Sequence, residues 1–232
     1  MKIGVLLSGS GVYDGAEIQE SVLILLALEQ AGASYFCIAP NIEQHHVINH
    51  MTGEQMNEKR NVLIESARIA RGNVKDLAEI SVEDMDGLVM PGGFGVAKNF
   101  TKWAFEGANG EINTDVKRLV NEMVKLNKPI AAVCMSPTTV AKALEGTGIE
   151  ATLTVGTTSE KSPYQIADIN VEMTKTGANP VMCTVTELIS DDINNIVSSP
   201  CYMMDASISQ INEGIQKTIA KLVEMVALQK ES

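Results

Sequence analysis

Short apolar runs alternate with helical patterns along most of this chain, and that alternation restricts the fold more than any other feature. "KIGVLLSG", at residues 2–9, is rich in β-formers and closes on glycine. From Ala16 to Gln30 apolar residues recur at Ile18, Val22, Leu25, Leu26 and Leu28, and Gly32 follows as a stop signal. "ASYFCIAP" reads as a second strand ended by Pro40, "EKRNVLIESARIARG" as a second helix, and "DGLVMPGG" as a buried strand running into a Pro-Gly-Gly turn. Asp115 to Lys125 has amphipathic helical spacing, "PIAAV" is a further strand, and another helix opens at Pro137. Strands separated by helices pair in parallel, and the helices cover both faces of the sheet. Beyond Thr152 the short runs "ATLTVG", "PVMCTVT" and "NIVSS" predict a β-hairpin added to that sheet, and a last helix covers about residues 207–228. No linker, repeat or low-complexity segment divides the 232 residues, so the reading is an α/β chain with a single domain over 1–232.

Composition narrows the partners. The net charge is −11 and no basic run occurs, which argues against nucleic acid and against an anionic membrane surface. No apolar run approaches the roughly 20 residues of a membrane span. Cys37, Cys134, Cys183 and Cys201 lie far apart with no CxxC pair, a pattern unlike a zinc site or a disulfide scaffold. The opening "MKIGVLLSGS" is too soon interrupted by Gly9 and Gly11 to be a signal peptide. A reducing cytoplasm, where free thiols survive, is the expected location. A mature organellar protein that has lost its targeting segment fits the sequence equally.

The chemistry concentrates at "PIAAVCMSPTTVAKAL", residues 129–144, where Cys134 falls between a strand and a helix. Chemistry in open parallel sheets collects at the carboxyl ends of strands. A nucleophile held there turns sharply and needs small residues two before and two after it, and Ala132 and Ser136 meet that demand. The unpaired N–H groups of the following helix favour a thiolate. The competing reading is that Cys134 is a small buried hydrophobe, as most free cysteines are. Gly92 and Gly93, ending the neighbouring strand, allow backbone N–H groups to approach a substrate as an oxyanion hole requires, although an ordinary tight turn has the same sequence. Glu17 in "DGAEIQE" places a carboxyl at the start of the first helix. The loop "GSGVYDG" has G-x-G-x-x-x-G spacing, not the dinucleotide G-x-G-x-x-G, and strand 2 ends without an acid for a ribose.

A carboxyl after strand 1, a Pro-Gly-Gly turn and a cysteine elbow followed by proline resemble the class I glutamine amidotransferase-like superfamily, in its Parkinson-associated deglycase and PfpI-like branch. "IGVLLSGSGVYDGAEIQESV", "VINHMTGE", "RNVLIESARIARG", "VMPGGFGVAKN" and "SSPCYM" look more narrowly like the ElbB-like proteins, linked by name to isoprenoid (lycopene) biosynthesis and described as cofactor-independent glyoxalases. The resemblance implies a flavodoxin-like α/β sandwich, often a homodimer. It implies Cys134 as nucleophile, Glu17 as its carboxyl partner, Gly92, Gly93 and Met135 around the oxyanion and substrate, and no metal or cofactor. The implied reaction converts a small aldehyde, methylglyoxal or glyoxal, to a 2-hydroxy acid through a Cys134 hemithioacetal. Relatives with glutaminase activity carry a late His-x-Glu. Here Pro200, Cys201 and Tyr202 stand in that stretch, and Met135 follows the cysteine, so no glutaminase activity is expected. His50, Cys201 and Tyr202 are further candidates for the site. The alternative function is a thiol-based redox-sensing or regulatory binding protein without significant catalysis.

Overall fold

The structure, a computed structural model, describes residues 1–231. Its strands are β1 (Lys2–Leu6), β2 (Ser34–Ala39), β3 (Val74–Asp76), β4 (Gly87–Met90), β5 (Ile130–Val133), β6 (Thr152–Leu153), β7 (Asn179–Pro180), β8 (Ile189–Asp191) and β9 (Ile196–Ser199). The helices are α1 (Ile18–Gln30), α2 (Val62–Ile69), α3 (Trp103–Glu106), α4 (Thr114–Lys125), α5 (Ser136–Leu144), α6 (Ile166–Lys175) and α7 (Ile208–Glu231). Seven strands form one sheet in the order β3-β2-β1-β4-β5-β9-β8, and β6 pairs with β7 apart from it. Within the large sheet every pairing is parallel except β8 with β9, which is the expected edge hairpin. The fold is the flavodoxin-like α/β arrangement.

The topology places the site. The chain leaves β1 toward β2 on one side and later returns to β4 on the other, so the strand order reverses beside β1. Ligands bind at such switch points, outside the carboxyl ends of the strands. Register aligns Val5 with Val89, Met90 with Ala132, and Val133 with Ser199. The segments that follow β1, β4, β5 and β9 therefore meet at one rim. Strands β4, β5 and β9 are buried at every position, as their unbroken small and apolar sequences require under two helical layers.

Two local readings change. On α1 the apolar positions Ile18, Val22 and Leu26 are 46%, 50% and 45% exposed, and the buried face is Glu20, Ser21, Ile24, Ala27 and Leu28. The helix carries apolar residues on two stripes, and periodicity does not say which one meets the sheet. "PVMCTVT" is mostly loop: only Asn179–Pro180 pairs, with β6, while β8 takes the edge beside β9. Among the described residues no helix is long and apolar enough to cross a membrane.

Candidate active site

Cys134 occupies a strained elbow. Its φ is +59°, a region that non-glycine residues rarely enter and that costs of order 1–3 kcal/mol. The surrounding bonds hold it there. The Cys134 N–H donates to the Ser199 carbonyl at 3.0 Å, extending the β5–β9 ladder one residue past the strand. The Ser136 hydroxyl donates to the Pro91 carbonyl at 2.5 Å, tying α5 to the neighbouring turn. Pro137 sits in the first turn of α5, where its missing N–H costs nothing.

Both glycines of the "PGG" turn are required by the space around the sulfur. A Cβ at Gly92 would lie 2.6 Å from Cys134 Sγ and 2.9 Å from Glu20 Oε2. Gly93 has φ +93°, and a Cβ there would meet the Glu17 nitrogen at 2.5 Å. The Gly93 N–H donates to the Cys134 sulfur. The Gly92 N–H is engaged elsewhere: it donates to Glu20 Oε2 at 3.0 Å. Of the two amides expected to form an oxyanion hole, Gly93 faces the sulfur and Gly92 binds a carboxyl.

That carboxyl corrects the sequence reading. Glu20, not Glu17, is hydrogen-bonded to the Cys134 side chain. Glu20 is fully buried in the first turn of α1, and its Oε1 also accepts the Tyr202 N–H at 3.1 Å. Glu17 is the N-cap of α1: its backbone is extended, and its Oε2 accepts the Glu20 N–H at 2.6 Å. An acid outside the first turn caps the helix, and the acid three residues on turns into the site. The sequence signal was present as two acids three apart, one more than capping needs.

Burial, reinforced by the Glu17 charge, pushes the Glu20 carboxyl up to about 8, against the pull of the N–H groups of Tyr202 and Gly92. Burial likewise pushes the Cys134 thiol well above the ordinary thiol range, and the charges of Glu20 and Cys201 add to this, while the Gly93 N–H acts the other way. The expected low thiol pKa is thus overturned by desolvation, which outweighs the helix N-terminus. Two acids in one dry pocket titrate as a pair. At neutral pH the pair keeps its protons, with the Glu20 carboxyl able to donate to sulfur. Burial also raises Glu17 above the usual carboxylate range, opposed by the N–H groups of Glu20, Gln19 and Ile18.

Outside this pair lies a cleft of about 800 Å³. Glu17, Phe94, Lys98, Tyr164 and Tyr202 are among its lining residues. Tyr164 meets Phe94 edge-on at 5.8 Å, and burial followed by the Cys134 charge pushes its hydroxyl up to about 12. Tyr202 donates its hydroxyl to Gln19. Met135, the buried N-cap of α5, follows the nucleophile directly. Cys201 ends β9 with φ +44°, fully buried, 3.8 Å from the Ser199 hydroxyl. It occupies the stretch where glutaminase relatives keep a histidine.

His50 is not brought to the sulfur. Its Nε2 accepts the Tyr13 N–H at 3.2 Å, its Nδ1 lies 3.0 Å from the Ile48 carbonyl, and its ring stacks on Tyr13. That bonding fixes the tautomer with the proton on Nδ1. Sequence reasoning missed Glu20, Tyr164 and Lys98. Tyr164 comes from a segment with no recognisable motif, and Lys98 lies within "VMPGGFGVAKN" but nothing in that motif marks it as a site residue; only the folded chain brings them to the rim.

Comparison with known proteins agrees with this geometry. Residues 11–177 match the DJ-1/PfpI family. The chain is 38% identical to the rat "ES1 protein homolog, mitochondrial" over 228 residues, covering 97% of this chain and 84% of the rat protein. It is 38% identical to the human "Glutamine amidotransferase-like class 1 domain-containing protein 3, mitochondrial", covering 97% of this chain and 83% of the human protein. A crystal structure from Ehrlichia chaffeensis, described as an isoprenoid biosynthesis protein with amidotransferase-like domain, superposes with a TM-score of 0.88 at 38% identity, covering 97% and 99% of the two chains. These curated relatives and the zebrafish ES1 protein are named as mitochondrial, which contradicts the cytoplasmic expectation. A cysteine elbow over a buried carboxyl, a match across most of the chain and relatives of this identity lead to one assignment: the chain belongs to the DJ-1/PfpI family.

Proposed function

We propose that the protein is a cofactor-independent glyoxalase of the ElbB-like kind, converting small α-oxoaldehydes such as methylglyoxal and glyoxal to 2-hydroxy acids. The family includes enzymes with glyoxalase or deglycase activity. One observation carries the reading: a thiol at the carboxyl end of β5 is bonded to one carboxyl, Glu20, while a second, Glu17, faces the cleft.

The division of labour follows from the surroundings. The Cys134 sulfur attacks the aldehyde carbon, and its proton passes to the carbonyl oxygen, giving a hemithioacetal. Glu20 handles that proton, because it is already hydrogen-bonded to the sulfur and is protonated at neutral pH. The Gly93 N–H, which already reaches the sulfur, supplies a donor for the developing oxyanion. Glu17 then removes the proton from the former aldehyde carbon. The resulting enediol is reprotonated on the adjacent carbon, leaving a 2-hydroxy thioester. Water hydrolyses the thioester and frees the thiol. The sum is methylglyoxal plus water to lactate. A carboxylate raised toward neutral pH is better suited to this transfer than an ordinary one. The exposed stripe Ile18, Val22 and Leu26 supports a homodimer.

Methylglyoxal turned over in D2O tests the proton path. The reading predicts lactate carrying deuterium at C2, and loss of turnover in Glu17→Gln. Full retention of the substrate hydrogen at C2, with Glu17→Gln as active as the wild type, would contradict it.

A further inference from the structure

Among the described residues Lys98 is the only cationic side chain lining the cleft, which it shares with the carboxyls of Glu17 and Asp205. It belongs to the five-residue π-helical turn Val96–Phe100, a rare geometry that recurs at functional sites. Its ammonium donates to the Tyr13 carbonyl at 2.8 Å and lies 5.3 Å from the centre of the Phe94 ring. Among the described residues it has no ion-pair partner. The charge of Asp14 acts on it without forming an ion pair, and Asp14 is itself committed to the Ile48 N–H at 2.7 Å. In a chain with 29 acids and 18 lysines and arginines, a partly buried lysine without a carboxylate partner goes against the supply of charges. Burial lowers its pKa, so the ammonium is under-solvated where it stands.

Its position relates it to the reacting atoms. Phe94, under the ammonium, follows Gly93, whose N–H reaches the Cys134 sulfur. Phe94 also meets Tyr164, whose hydroxyl senses the Cys134 charge. The lysine and Phe94 line the same cleft, and the residue before Phe94 reaches the sulfur beneath it. The cleft also exceeds its proposed small substrates. It measures about 800 Å³. A three-carbon oxoaldehyde occupies on the order of 100 Å³, scaling from the volume of a water molecule.

We propose that Lys98 is an anion subsite, and that the cleft takes α-oxoaldehydes carrying a carboxylate tail, with the aldehyde at Cys134 and the tail at the ammonium. Glu17 and Asp205 repel an anion elsewhere on the wall, which orients the substrate end to end. They also disfavour a phosphate dianion over a carboxylate. The reacting end of this proposal rests on the glyoxalase reading; the subsite does not.

The test compares 4,5-dioxopentanoate with its methyl ester, in which the tail is one methyl larger and carries no charge. In the wild type kcat/KM for the acid exceeds that for the ester by about tenfold, the worth of one charge-assisted contact. Lys98→Met brings the ratio close to one, and Lys98→Arg restores the preference. Lys98→Gln, which keeps a donor for the Tyr13 carbonyl, replaces Lys98→Met if that variant does not fold. A wild-type ratio near one, or a preference undiminished in Lys98→Met, overturns the proposal. If neither compound is turned over, the glyoxalase reading fails and the subsite is read separately, from calorimetric binding of the unreactive ketone 4-oxopentanoate. Binding that weakens about tenfold in Lys98→Met upholds the anion subsite. Equal binding by both proteins, or no binding by either, overturns it.

Discussion

Glu20→Gln separates the charge of the buried carboxyl from its shape. The Glu20 carboxyl is held at about 8 in the folded protein, against 4.5 as its ordinary value. A group raised in this way contributes stability that is fully present below pH 4.5 and is lost as pH climbs to about 8, because the folded state keeps a proton that the unfolded chain has released. Each pH unit in that window costs about 1.4 kcal/mol, so between pH 5 and 7 the wild type loses about 3 kcal/mol through this one side chain. Cys134 stays protonated throughout, since burial pushes it the same way. Glutamine cannot ionise and abolishes the slope. It also leaves one of the N–H groups of Gly92 and Tyr202 facing a donor, a cost of about 1–3 kcal/mol that does not depend on pH. The readout is therefore the change with pH and not the offset. Urea unfolding at several pH values should show the stability of Glu20→Gln relative to wild type rising by about 3 kcal/mol from pH 5 to 7, with equal m-values. A difference that stays flat across this window would refute the account of a neutral, desolvated Glu20.

Other outcomes follow from the same geometry. Gly92→Ala places a methyl 2.6 Å from Cys134 Sγ, so thermal melting should show a loss of about 1–3 kcal/mol, and turnover should collapse. Iodoacetamide on the native protein should label Cys134 first, at a rate still climbing above pH 8. Cys37 and Cys183, both pushed by burial to about 11, should react only on unfolding, and peptide mapping that finds Cys201 ahead of Cys134 would contradict the site. Glutamine should yield no Cys134-dependent ammonia, because no histidine at the site protonates the leaving amine. Leu26→Lys, in the exposed stripe of α1, should shift the sedimenting species from a dimer to the 24.9 kDa monomer without lowering the melting temperature.

The fold was legible because its strands are buried on both faces. "PIAAV" and "GLVM" have no alternation to misread, and Pro137 and the glycine turn mark where each stops. The cysteine elbow was legible for the same reason: a strand, small flanking residues and a proline in the next turn leave one conformation open. The carboxyl was harder. Glu17 and Glu20 both lie at the start of α1, and which one reaches the sulfur depends on how far the helix rotates against the sheet, a tertiary quantity. The same rotation exposes Ile18, Val22 and Leu26, which helical spacing alone assigns to the core. "PVMCTVT" has strand composition but no free sheet edge, since β8 supplies it. The thiol was misjudged for an energetic reason. The helix N-terminus can be read from sequence, but the depth of burial, the larger effect here, cannot.

The central claim is that Cys134 turns over an α-oxoaldehyde, and the most direct measurement is steady-state kinetics with methylglyoxal and glyoxal on the wild type and Cys134→Ser, following aldehyde loss together with lactate or glycolate formation. The account predicts that the wild type forms each hydroxy acid in equal amount to the aldehyde consumed, with no added cofactor, and that Cys134→Ser forms none above the buffer rate. Hydroxy acid formed by Cys134→Ser at the wild-type rate, or none formed by the wild type, would contradict it.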